Sequence, residues 1–313
     1  MSSNAPTPID ANAQVKKDIP KAHGTTRKLT KAEQRAVDAK TRLTSPWASG
    51  IAILLAILWT IPTFGLFVTS FRDAGDIRTS GWWTAVSNPN FTGENYQAAL
   101  ETGLDTTFIN TIVITLPAVV IPISLALLAA YAFAWIDFPY KNTIFVAVFA
   151  LQVVPIQVTL IPLLRAYVDL GIDGSYWPMW LSHSIFALPL AIFLLHNFMK
   201  DIPASLIEAA RVDGAGHVKI FFVVLLPLLV PAIAAFGIFQ FLWVWNDLLV
   251  SLTFAGTEIR PIMPALADLV GTRGAAWHLL SAGAFIAIIV PLIVFFSLQR
   301  YFVRGLLAGG VKG

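Results

Sequence analysis

The chain has 313 residues, of which 57% are hydrophobic and 12% charged, against roughly 45–50% and about 25% in an average soluble domain. Mean hydropathy is +0.72. A water-soluble core of this size would need a larger charged coat, so a single soluble domain is excluded as the body of the protein. Cysteine is absent, which excludes disulfides, thiolate metal sites and cysteine nucleophiles.

The first 46 residues are polar and basic. Lys16, Lys17, Lys21, Arg27, Lys28, Lys31, Arg35, Lys40 and Arg42 face four acids there. Met1 to His23 is rich in Pro, Ala, Asn and Ser and reads as disordered. Thr30 and Glu33 have capping-box spacing, so a short helix over 30–43 is expected, either solvated or lying on anionic headgroups. No secretory signal is present: the apolar run that starts near Trp47 is too long and lacks a small-residue cleavage site.

From Trp47 to Gly313 the chain is a series of apolar runs. A helix needs about 20 apolar residues to cross the hydrocarbon core, and backbone groups in lipid must be satisfied internally. Six membrane helices are predicted, near 48–71, 108–136, 143–166, 177–198, 221–250 and 279–299. The period-2 pattern of a barrel strand is absent. The fifth run carries Pro227, Pro231 and Gly237 and is expected to bend, or to start as an exposed helix at the membrane surface.

Lys and Arg set the orientation. With the N-terminus inside, six crossings return the C-terminus inside. The inner segments then hold 16 cations, including Lys141, Lys200, Arg211, Lys219, Arg300, Arg304 and Lys312, and the outer ones hold five: Arg72, Arg78, Arg165, Arg260 and Arg273. That bias is positive-inside. The basic pI of about 9.2 is therefore a topology signal, and no nucleic-acid partner is called for. Trp82, Trp83, Tyr176, Trp177 and Trp277 fall where interfacial aromatic residues belong.

Catalytic patterns are missing. There is no HExxH, no GxSxG and no GxxxxGK[ST], so this chain is expected to bind no ATP and no metal. Ionisable groups within the runs are few: His183, His196 and Asp247, with Arg165 near an end. Proton-coupled carriers place several acids at mid-membrane. The outer acids Asp73, Asp76, Glu94, Glu101 and Asp105 have no spacing assignable to catalysis, which argues against a membrane-embedded glycosyltransferase.

The segment between the fourth and fifth runs, residues 200–220, is the most informative. Asp201 can cap a helix, with Pro203 in its first turn, and helix formers continue to Val212. Gly214 and Gly216 permit a tight turn with positive φ, after which a second helix starts near His217 and enters the membrane at Phe221. Such a lever could carry a push from a soluble partner into the bundle, with Leu206, Glu208, Ala209 and Ala210 meeting that partner. An ordinary amphipathic surface loop has the same pattern.

Glu208-Ala209-Ala210, then Gly214, then Leu226-Pro227, resembles the EAA loop of binding-protein-dependent ABC importer permeases. Leu151-Gln152-Val153-Val154-Pro155 with Leu160-Ile161-Pro162-Leu163, Leu170-Gly171-Ile172 followed by Ser175-Tyr176, and Trp243-Val244-Trp245-Asn246-Asp247 look like the carbohydrate branch. The C-terminal Gly305–Gly313 is similar to the end of the second, six-span permease of maltose- and trehalose-type importers. The resemblance covers Trp47 to Gly313 and leaves the tail before it unexplained.

What the resemblance implies is an all-α permease subunit of the bacterial plasma (inner) membrane, with both termini cytoplasmic. A second permease would complete the pathway, an ATPase dimer would bind ATP and Mg, and an extracytoplasmic binding protein would deliver a di- or oligosaccharide such as maltose, trehalose or a related glucoside. Leu206, Glu208, Ala209, Ala210, Arg211, Asp213, Gly214 and Gly216 would form the ATPase-coupling helix and its hinge. Gly309, Gly310, Val311 and Lys312, in a tail over 300–313, would reach toward the ATPase; a frayed end is the plainer reading. Gln152, Trp243, Trp245, Asn246 and Asp247 suit a sugar path, since aromatic faces pack on C–H surfaces and amides bond hydroxyls. The tryptophans also suit interfacial anchoring, and Gln152 and Gln157 also suit pairing between helices. The rival function is a stand-alone proton-coupled sugar carrier that depends on Asp247.

Overall fold

The computed structural model describes residues 46–271 and 276–310, with side chains to Gln299. The basic tail, the expected helix at 30–43, and Val311 and Lys312 lie outside the described residues. The chain divides into two units at Ile61–Pro62.

Among the described residues five helices are long and apolar enough to cross a membrane. They are α1 (Pro46–Ser70), α4 (Asp105–Trp135, preceded by α3, Glu94–Ala99), α7 (Trp177–Lys200), α9 (His217–Trp245) and α12 (Trp277–Gly310). A sixth crossing is counted if the bent pair α5 (Lys141–Ala150) and α6 (Ile156–Asp169) is one span. Short helices α2 (Ala74–Thr79), α8 (Ala204–Val212), α10 (Leu249–Phe254) and α11 (Ile262–Gly271) complete the set.

Two expected spans differ in detail. The run at 143–166 is not one straight helix: it breaks at Val154 and Pro155, and its halves meet at 99°. Proline has no N–H and forces the residue before it out of helical geometry, and Val154 is accordingly extended at φ −70°, ψ 120°. The fifth span covers 217–245 rather than 221–250. It ends at Trp245 because Asn246 leaves helical geometry and Asp247 starts the next helix. A π-helical segment, Ile220–Leu225, precedes Leu226-Pro227, where one proline ring and one missing N–H must be accommodated. Finally, the expected tail from 300 is helical as far as Gly310.

The core is built on α4, α7 and α9. Ala126, Ala130, Ala187, Ala191, Leu195, Leu225 and Leu229 are buried together, and the small residues let the backbones approach closely. At one end of this bundle Tyr176 Oη donates to Asn110 Oδ1 (2.7 Å), and Asn110 Nδ2 donates to the carbonyls of Glu258 and Arg260. Arg72, 4% exposed, ties the segment after α1 by donating to Ser80 and Thr84 hydroxyls. The opposite end gathers the close of α4, the start of α5, the close of α7, and α8.

Candidate functional site

At that opposite end α8 is a nine-residue helix held by one deeply buried side chain, Ile207, 2% exposed. Pro203 is its N-cap, at φ −57° and ψ 129°, rather than a first-turn residue. Asp201 instead closes α7, its N–H reaching the Asn197 carbonyl. The helical path is thus interrupted between α7 and α8 at Pro203, which is extended and has no N–H to continue the helix.

The other end of α8 carries a double closing bond. Gly214 N–H donates to Arg211 O (3.0 Å) and Ala215 N–H donates to Ala210 O (2.9 Å), the 5→2 and 6→1 pattern of a Schellman cap. Gly214 has φ +78°, and no atom lies within 4 Å of where a Cβ would stand. The need for glycine here is therefore one of backbone geometry alone. Gly216 does not share it: at φ −75° and ψ 171° it is an extended N-cap for the helix that begins at His217.

The residues expected to meet the ATPase divide by side. Leu206 (44% exposed), Glu208, Ala209, Arg211, Val212 (87%) and Asp213 face out, whereas Ala210 and Ala215 pack partly against the core. Beyond the hinge, His217 Nδ1 and Tyr131 Oη share a 2.7 Å hydrogen bond, and the Tyr131 ring also meets Phe221 edge-on. The start of α9 is thereby tied to the end of α4. Sequence reading missed Tyr131, because only the fold brings it 86 positions along the chain to His217.

Of the residues suggested for a sugar path, Trp243, Trp245, Asn246 and Asp247 do not line the cavity that Gln152 lines. Gln152 lines a cavity of about 430 Å³ at the α5–α6 break, against Ile185, Phe186 and Pro189 of α7. Trp245 is fully buried; its Nε1–H donates to the Ala287 carbonyl (3.0 Å) and its ring stacks on Phe241. Trp243 is half-buried, and exposed Asn246 donates back to the Leu242 carbonyl. Buried Asp247 accepts from Val250 N–H, Ser251 N–H and the Ser251 hydroxyl, holding the first turn of α10. His183 Nε2 lies 3.8 Å from the Asp247 carboxylate. Gln240 of α9 donates to the Ala118 carbonyl of α4. No group of three or more metal-ligating side chains occurs among the described residues.

Residues 106–307 match the family described as binding-protein-dependent transport system inner membrane component. The chain belongs to that family. This permease is a non-catalytic, multi-pass subunit of the bacterial inner membrane, without a cofactor of its own; ATP is bound by an ATPase subunit of the same binding-protein-dependent complex. It is 52% identical over 84% of its length, and 91% of the relative's, to the osmoprotective compounds uptake permease protein GgtD of Synechocystis. It is 37% identical to the alpha-glucoside transport system permease protein AglG of Rhizobium meliloti, covering 85% of this chain and 97% of the other. A crystal structure of a bacterial ABC transporter involved in the import of the acidic polysaccharide alginate contains a chain of the same fold, with a TM-score of 0.68 and 22% identity over 82% of the permease and 96% of that chain.

Proposed function

We propose that the permease forms half of the pathway of an ATP-driven importer for a small glucoside, and that α8 is the lever through which the ATPase drives it. The observation that carries this reading is the construction of α8. It is anchored by Ile207 and presents Leu206, Glu208, Ala209 and Val212 outward, and a glycine cap joins it to a 29-residue helix. A partner that grips the outer face moves α9 with it. Both termini are then cytoplasmic, as the charge bias requires, and the end of α12 at Gly309 and Gly310 lies on the ATPase side.

Two states follow: one with the ATPase open and one with it closed on nucleotide. The energy of nucleotide binding favours the second. A distinct second permease supplies the facing half of the pathway, an ATPase dimer sits beneath, and the binding protein delivers the substrate. The substrate class rests on the relatives that import osmoprotective compounds and alpha-glucosides. The second of these names the chemistry proposed, a glucoside, a class that includes maltose and trehalose.

Uptake of labelled glucosides into proteoliposomes, with and without the ATPase and ATP, tests the reading. Uptake that requires both supports it. Uptake driven by a proton gradient without the ATPase contradicts it and favours a stand-alone carrier.

A further inference from the structure

A cavity of about 300 Å³ opens at the same end of the bundle as α8, between the close of α4, the start of α5 and the close of α7. Lys141, Asn142 and Lys200 line it with cations and amide donors, Phe145 and His196 wall it, and Asp137 sits at its rim. The charge is unbalanced: two ammonium groups meet one carboxylate. That carboxylate is fully exposed and lies 3.4 Å from Lys141, whose side chain is only 19% exposed. An exposed pair at this distance holds little. Lys141 and Asn142 are the first two residues of α5, and the Tyr140 side chain offers no cap, so unused backbone N–H groups add to the positive end.

The cavity is also amphipathic. Phe145 and His196 pack ring on ring at 4.4 Å. Beyond them Phe149, one turn further along α5 on the same side as Phe145, stays exposed and stacks on Phe193, an apolar track leading away from the lysines. A charged head at Lys141 and Lys200 with a chain along that track fits a phospholipid whose headgroup lies at the ends of α4 and α7.

We propose that this cavity binds the phosphate of an anionic phospholipid. A free phosphate would satisfy the lysines but makes no use of the apolar track, so the lipid is favoured.

The test uses the whole importer complex in phosphatidylcholine nanodiscs with or without phosphatidylglycerol, counting lipid retained on this subunit by native mass spectrometry. Retention of phosphatidylglycerol is expected, falling about twentyfold in the double variant K141Q/K200Q. Excess inorganic phosphate should not displace it. Equal retention by wild type and double variant overturns the site, and displacement by inorganic phosphate overturns the lipid assignment. Should the double variant fail to assemble, Asp137→Asn gives the opposite sign. Loss of the rim acid is expected to raise retention about fivefold, and unchanged or lower retention contradicts the proposal.

Discussion

Tyr131 Oη and His217 Nδ1 meet at 2.7 Å, three residues past the Gly214 hinge, and so fasten the first turn of α9 to the end of α4. If α8 is the proposed lever, it does not swing freely on its glycine: a displacement of α8 would be passed through His217 to both α9 and α4.

Tyr131→Phe removes the hydrogen bond but keeps the ring against Phe221. A cost of about 1 kcal/mol in stability is expected, with a fall in solute moved per ATP hydrolysed. Tyr131→Ala also empties a buried site and is expected to cost about 3–5 kcal/mol. Thermal unfolding of the purified complex, with uptake and hydrolysis measured in parallel, checks both.

At Gly214 the space for a side chain is open but φ is +78°. Gly214→Ala should therefore cost about 1–2 kcal/mol through backbone strain alone. Gly214→Val should cost more, because a β-branched residue tolerates positive φ poorly. The expected order of uptake at equal expression is wild type, alanine, valine. A valine variant with wild-type uptake would refute the hinge.

Neighbouring residues on α8 separate folding from contact. Ile207→Ala is expected to lower stability by about 2–5 kcal/mol, because its side chain is buried. Leu206→Glu, on the exposed face, should leave stability within about 0.5 kcal/mol of wild type and weaken ATPase association. Unfolding curves and co-purification of the ATPase measure the two effects.

Asp247 holds three donors of α10. Asp247→Asn keeps one acceptor oxygen but sets its amide N–H against a backbone N–H of α10, and Asp247→Ala removes every acceptor; each should cost about 1–3 kcal/mol, with uptake still driven by ATP. A proton-coupled carrier would instead lose all gradient-driven uptake in the asparagine variant.

Helix existence was legible because apolar runs of membrane length leave the backbone no other choice. The turn at Gly214 was legible because the local pattern of helix formers, Asp213 and glycine dictates it. The break at Pro155 was written in the chain but hidden by the unbroken hydropathy around it. Tyr131, Gln240 and the environment of Trp245 were not legible, since each depends on a partner far along the chain: His217, Ala118 and Ala287 respectively. Asp247 was picked out as an acid in an apolar run, but its use in opening a short helix required knowing where α9 stops.

The absence of cysteine gives a clean background for the decisive measurement. Ala209→Cys, on the outer face of α8, is to be paired with single cysteines on the ATPase groove and cross-linked in the assembled complex with and without ATP. A disulfide that forms in good yield and stops uptake, while the uncross-linked variant still transports, is the result expected. Absence of any cross-link to the ATPase, together with labelling of the introduced thiol in intact cells by a membrane-impermeant reagent, would contradict the account.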